Sequence, residues 1–173
     1  MIHTFDNALR RLVQKPERIL QSLVRTGDRC LDLGCGYGYF TIPMADLAGQ
    51  DGSVTAADLQ EKMLAGVARR ARRAGLESRI RLHLVDSSGL PFRDEFDCAL
   101  AFWMLHEVPD QAKTLEQIHL ALKGGGRFLL VEPNGHVTGQ EFRQSMSLAE
   151  GAGFTMIDEP RVFYSRAALM KRR

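Results

Sequence analysis

The chain has 173 residues, 45% of them apolar and 25% charged, with a formal net charge of +2. That length suits one domain with a real core, and the charge is too small to imply nucleic acid as a partner by itself. No apolar run approaches the roughly 20 residues of a membrane helix, and the first eleven residues lack the apolar core and cleavage site of a signal peptide. The cysteines Cys30, Cys35 and Cys98 are an odd count without metal-ligand spacing. Reduced thiols and a cytoplasmic location are therefore expected, with no metal.

In chain order, residues 5–25 read as helical with a break near Pro16, which suits the first turn of a second helix over Glu17–Val24. Arg29–Leu33 is the first strand and Tyr39–Leu47 a helix, with Pro43 in its first turn. Val54–Ala57 is a short apolar strand of the kind buried on both faces. Gln60–Ala74 carries a helical apolar stripe through Met63, Leu64, Val67, Ala68 and Ala71, and Gly75 suits its C-cap. Arg79–Val85 and Phe96–Phe102 are the third and fourth strands. Asp110–Leu122 is a helix with Asp110 at its N-cap, and Lys123-Gly124-Gly125-Gly126 is a turn into the fifth strand, Arg127–Glu132. Thr138–Gly151 is the last helix, and Phe154–Asp158 and Ala167–Lys171 are strands joined by a short link through Pro160. Strands alternating with helices imply a doubly wound α/β domain, a mostly parallel seven-stranded sheet with helices on both faces. The short link suits an antiparallel C-terminal hairpin. Residues 1–173 read as a single domain, with 1–27 a helical N-terminal segment forming a partial lid.

The segment Cys30-Leu31-Asp32-Leu33-Gly34-Cys35-Gly36-Tyr37-Gly38 is strand, glycine-rich turn, then helix. Its spacing is not the dinucleotide pattern Gly-x-Gly-x-x-Gly, since a third glycine counted from Gly34 would fall on Tyr39. Asp32 also places a carboxylate where a pyrophosphate would be repelled and a cationic ligand welcomed. Cys35 within the turn reads as a small residue filling a tight site.

Asp32, Gly34, Gly36 and Gly38 fill the acid-x-Gly-x-Gly-x-Gly motif, and this segment strongly resembles the first motif of Rossmann-like (class I) S-adenosylmethionine-dependent methyltransferases. The resemblance covers about residues 17–173 and extends to the terminal hairpin. It implies S-adenosylmethionine as cofactor, with its methionine end held by Asp32 and the glycine turn. It also implies that Asp58 accepts from the ribose hydroxyls and that Leu59 lies beside the adenine. Asp86 would accept from the adenine amino group, with Ser87 offering backbone to the ring. Gly89-Leu90-Pro91-Phe92 resembles the family's link into the fourth strand. Phe102 would meet the methionine end. Each of these residues follows a strand, where ligands of open parallel sheets bind. Plainer roles compete: Asp58 as an N-cap, Asp86-Ser87 as an ordinary turn, Trp103 as a core aromatic.

After the fourth strand, Trp103 and Met104 could wall the methyl group or an apolar acceptor, and His106 is the candidate general base, since histidine titrates near neutrality without special tuning. A backbone-bonding role competes for it. Glu132 and His136, after the fifth strand, face the substrate side, and His136 joins Trp103 as a candidate substrate contact. A metal site from His106, Glu132 and His136 matches no ligand spacing. Ala101-Phe102-Trp103-Met104 stands where DNA amino-methylating enzymes carry Asn/Asp-Pro-Pro-Tyr/Phe. The expected partner is thus a small-molecule methyl acceptor, in the broad group that includes quinone-biosynthesis enzymes; arsenite methyltransferases share that group, but the substrate cysteines they require are missing. The thin lid leaves the site open or closed by a second subunit in a homodimer. Two alternatives remain. An RNA or protein methyltransferase would use Arg69, Arg70, Arg72, Arg73, Arg79 and Arg81, which otherwise form a solvated face. The other is a non-catalytic S-adenosylmethionine-binding module with a structural or sensing role.

Overall fold

The computed structural model describes residues 15–173. The helix expected from residue 5 up to the break near Pro16 lies outside them. The helices are α1 Pro16–Leu20, α2 Thr41–Ala48, α3 Glu61–Ala74, α4 Gln111–Ala121 and α5 Gly139–Gly151. The strands are β1 Arg29–Leu33, β2 Ser53–Asp58, β3 Ile80–Leu84, β4 Phe96–Phe102, β5 Leu122–Pro133, β6 Phe154–Asp158 and β7 Ser165–Arg172. All seven strands form one sheet in the order β3-β2-β1-β4-β5-β7-β6. β1 pairs in parallel with β2 on one side and β4 on the other, so the strand order reverses between β1 and β4. β7 is antiparallel to both β5 and β6, and it supplies the expected hairpin.

Alternation along the strands divides the core between the two faces of the sheet. Cys30, Val54, Cys98, Leu100, Leu129 and Val131 pack with Met44, Ala45 and Ala48 of α2. Leu31, Leu33, Ala99, Phe128 and Leu130 pack with Leu115 and Ile118 of α4 and Phe142 and Ala149 of α5. Each fully buried leucine, isoleucine, valine, methionine or phenylalanine among them contributes about 1.5–3 kcal/mol against exposure. Cys98 Sγ lies 3.3 Å from Cys30 Sγ, and that contact together with burial pushes the Cys98 thiol well up. Both thiols behave as small hydrophobes.

Most boundaries shift from the sequence reading by only a residue or two at either end, and three of the differences show their cause. α1 stops at Leu20 rather than Val24 because the N–H groups of Leu23 and Val24 both turn back onto the Leu20 carbonyl. That tightening buries Leu20, Leu23 and Val24 together. α2 begins at Thr41, leaving Tyr39 and Phe40 in the turn, and Pro43 still falls in the first helical turn, where its missing N–H costs nothing. Lys123–Gly126, expected as a turn, lies inside β5. Phe96 pairs with Leu122, and the register then shifts so that Cys98 pairs with Arg127. The glycines form a bulge between those pairs, with Gly125 at φ +76°. The remaining caps follow the sequence. Gly75 closes α3 in the left-handed conformation, Asp110 caps α4 through Lys113 N–H at 2.9 Å, and Thr138 with Glu141 forms a capping box on α5.

Candidate active site

A cavity of about 1190 Å³ opens at the carboxyl ends of the strands, over the point where the strand order reverses. That is where open α/β sheets bind ligands, and the volume exceeds the roughly 300–1,000 Å³ of a typical small-molecule site. Its wall includes Asp32, Gly34, Gly36, Asp58, Leu59, Asp86, Ser87, Phe102, Trp103, His106 and His136. Two expected residues are absent from the wall: Gly38, and Glu132, which was expected on the substrate side but is buried behind His106. A Cβ on Gly38 would lie 3.2 Å from Val67 Cγ2, so this glycine serves the packing of the turn against α3.

One end of the cavity is built from the glycine turn and two carboxylates. Asp32 is buried at the end of β1, and the Thr41 hydroxyl at the start of α2 donates to its Oδ2 at 2.5 Å. Burial pushes its carboxyl up to about 7; the Thr41 bond opposes this and the Asp58 charge adds to it. Asp58 is not the N-cap of α3, a position that falls to Gln60. Its Oδ2 accepts from Gly36 N–H and its Oδ1 from Gln60 N–H, both at 2.9 Å. Asp58 therefore braces the glycine turn while its remaining lone pairs border the cavity. Gly34 and Gly36 both have positive φ, +68° and +51°. A Cβ on Gly34 would sit 2.8 Å from Met104 Cβ, whereas a Cβ on Gly36 would meet nothing within 4 Å. Cys35, between them, is buried, and that burial with the two nearby carboxylates pushes its thiol far up. It fills space rather than offering a thiolate.

The neighbouring wall carries Leu59, largely exposed, and the Asp86-Ser87 turn. Asp86 is exposed, and its Oδ1 accepts from Ser88 N–H at 2.8 Å and from the Ser88 hydroxyl at 2.5 Å, which hold its carboxyl below the ordinary range. Gln117 of α4 fixes the same loop through Ser88 O and Leu90 N–H, each at 3.3 Å.

The far end is aromatic and basic. Phe102 stacks on Phe40, with ring centroids 4.2 Å apart. Trp103 adopts φ +57° and donates from Nε1 to Ser165 Oγ at 3.0 Å. Trp103 thus combines both roles weighed for it, packing partly against the core while facing the cavity. Tyr164, also on the wall, has φ +52°. Bulky residues in that region are strained, and such strain gathers at functional sites. His106 lies in a short 3₁₀ turn after β4, its Nδ1 paired with Glu132 Oε2. The Glu132 side chain is 1% exposed and His106 22%. Glu132 Oε1 accepts from Leu105 N–H at 2.9 Å. Burial raises the Glu132 carboxyl, while His106 and the Leu105 N–H oppose that rise. The exposed His136 ring stands 5.9 Å from that of His106, at 34°. Among the described residues, the donor cluster close enough to hold a metal is elsewhere, at Asp28, Cys30 and Cys98, and there Asp28 is already paired with Arg127.

Sequence reasoning missed Thr41 and Tyr164. Thr41 is a fully buried hydroxyl at the first position of a helix, a signal that a polar partner lies opposite. Tyr164 sits in the link from β6 to β7, and a strand parallel to β5 must end on the cavity side. Arg79 and Arg81 serve the fold, bonding Ala45 O at 3.3 Å, and Thr55 Oγ1 at 3.2 Å with Glu95 at 2.7 Å.

A nucleoside-type cofactor site at a switch point defines a class before it defines a member. The family model described as "Methyltransferase domain" matches residues 25–160, so this chain belongs to the methyltransferase domain family, in its S-adenosylmethionine-dependent class I form. It is 34% identical over 119 residues to the ubiquinone/menaquinone biosynthesis C-methyltransferase UbiE of Marinomonas sp. (strain MWYL1), covering 68% of this chain and 47% of that protein. It is 36% identical over 117 residues to the demethylmenaquinone methyltransferase of Symbiobacterium thermophilum, covering 67% and 47%. The chain thus spans about half the length of the curated relatives it matches. A crystal structure of a SAM dependent methyltransferase from Aquifex aeolicus shares the fold, with a TM-score of 0.86, 20% identity, and coverage of 97% of this chain and 95% of that one.

The residues present fit S-adenosylmethionine, the family's cofactor. The cavity wall carries carboxylates at Asp32, Asp58 and Asp86, which suit an ammonium, a sulfonium and ribose hydroxyls and repel a phosphate. The glycine turn leaves open space at Gly36 for a close ligand.

Proposed function

We propose that this chain transfers a methyl group from S-adenosylmethionine to a small, largely apolar acceptor, with His106 as the general base. The observation that carries this reading is one cavity with carboxylates at one end and a histidine among aromatics at the other. When bound, the cofactor supplies an electrophilic methyl on a sulfonium, so the protein's work is positioning and proton removal. Asp32 would hold the ammonium, Asp58 the ribose, and the Asp86-Ser87 turn with Leu59 the adenine. Phe102 would flank the methionine end. Trp103, Tyr164 and His136 would frame the acceptor, whose proton goes to His106. The names of the quinone-biosynthesis relatives support an aromatic acceptor. The described part of the N-terminal segment, residues 15–27, belongs to the same one domain: α1 packs on α2, and none of these residues lines the cavity. A second copy closing the mouth completes this picture. No described helix is long and apolar enough to cross a membrane. The three free cysteines support a reducing, cytoplasmic setting.

Calorimetry with S-adenosylmethionine tests the core of the proposal, and absence of binding at millimolar cofactor overturns it. With an acceptor in hand, His106→Ala should lower kcat by roughly 10²–10⁴ while leaving cofactor affinity in place. Equal turnover by the variant would remove His106 from the chemistry. Methylation of RNA but not of small phenolic or quinol compounds would favour the arginine face of α3 instead.

A further inference from the structure

The geometry points to Glu132 as the positioning residue that holds His106 in the one ring tautomer able to accept a proton from the methyl acceptor. This rests on the methyl-transfer reading for its use, but not for its structure. Glu132 is the penultimate residue of β5, one strand away from His106, and its side chain is 1% exposed. Both of its oxygens are engaged: Oε1 takes the Leu105 N–H at 2.9 Å, and Oε2 faces His106 Nδ1. The Leu105 N–H can only donate, so Oε1 is held as an acceptor. An ionised carboxylate is an acceptor at Oε2 as well. His106 Nδ1 must then carry the ring proton and donate it. The remaining nitrogen, Nε2, is left with a bare lone pair on a cavity-wall residue.

The fold makes this arrangement rigid. The donor turn is fixed to β4, the acceptor to β5, and the two strands pair in parallel up to Phe102 and Val131, the residue before Glu132. Trp103 N–H donates to the Val131 carbonyl at 2.8 Å, so the backbone on either side of the pair is tied. Proton removal then balances simply. The acceptor's X–H bond breaks, its electron pair stays on the acceptor atom, and the proton lands on Nε2. The imidazolium so formed is paired with a carboxylate already in contact. The acceptor class follows: a compound whose reacting centre is activated by losing a proton, such as a phenol, an enol or a quinol. A thioether or tertiary amine has no proton there to give.

Glu132→Gln is a sharp test because a glutamine has one acceptor oxygen where two donors wait. Its NH₂ must face either Leu105 N–H or His106 Nδ1, and in the second case the ring flips to the Nε2–H tautomer. Two-bond ¹H–¹⁵N spectra of labelled apoprotein, with His106 assigned by its loss in His106→Gln, read the tautomer directly. The expected result is Nδ1–H with unprotonated Nε2 in the native chain, and a shift toward Nε2–H in Glu132→Gln. In turnover the variant should lose roughly ten- to hundredfold in kcat with little change in KM. A native apoprotein with Nε2–H overturns the inference whether or not the variant folds. So does a folded variant with the native tautomer and native kcat. Because the tautomer is read without cofactor, failure of S-adenosylmethionine to bind counts against the methyl-transfer reading and leaves the tautomer result standing.

Discussion

Asp32 is an acid placed where its own charge is costly. Burial lifts its carboxyl from the ordinary 3.8 to about 7, against the pull of the Thr41 hydroxyl. A group raised in the folded state adds stability that is complete below its unfolded pKa and is lost as pH rises through the folded value. The apoprotein should therefore lose stability between about pH 4 and pH 7, by up to about 4 kcal/mol from this group. Asp32→Asn keeps an acceptor for Thr41 and should be more stable than the native chain above pH 7 in thermal melts. A cofactor ammonium reverses the preference by favouring the ionised form. Native affinity should rise as pH climbs through 7, and binding near pH 7 should release a proton from Asp32. Calorimetry in buffers of different ionisation enthalpy reads that proton, and Asp32→Asn should abolish this part of the heat and weaken binding.

At the scale of elements, the glycine turn separates folding from binding within three residues. Gly34 and Gly36 share a left-handed backbone, so either alanine costs about 1–2 kcal/mol in conformation. Gly34→Ala also drives a Cβ to 2.8 Å from Met104 Cβ and should lower stability further, by about 1–3 kcal/mol. Gly36→Ala meets nothing within 4 Å and should fold with only the conformational cost. Its methyl points into open space on a cavity-wall segment, so cofactor affinity should fall on the order of tenfold or more. Urea melts and calorimetry on the two variants together check this split. Comparable stability losses with unchanged affinity would place the cofactor elsewhere.

Across the whole molecule, Arg127 ties parts of the chain that lie about a hundred residues apart. From β5 it donates through Nε to Leu23 O at 2.8 Å and pairs through Nη2 with Asp28 ahead of β1. Asp28 Oδ2 also takes the Arg25 N–H at 2.7 Å. This lock sits at the strand starts, at the opposite edge of the sheet from the cavity. Arg127→Met should leave a nearly buried carboxylate without its counter-charge and cost about 3–5 kcal/mol in urea unfolding. Cofactor affinity of the folded variant should be unchanged, since none of these groups lines the cavity.

The sequence by itself determined the order of strands and helices, the glycine turn and the acids at the strand ends. These are local patterns: a turn that needs glycine, an apolar run bounded by polar residues, an acid one step past a strand. Boundaries slipped where tertiary contacts overrode local signals, as when the β4–β5 pairing drew Lys123–Gly126 into a bulge. Only the tertiary structure decided what the site residues do to one another. It moved Gly38 from the cavity wall to a helix contact and set Thr41 against Asp32. It brought Glu132 under His106, a pair 26 residues apart in the chain. No spacing rule encodes such a pair, because its distance is fixed by the pairing of β4 with β5 rather than by the chain between them.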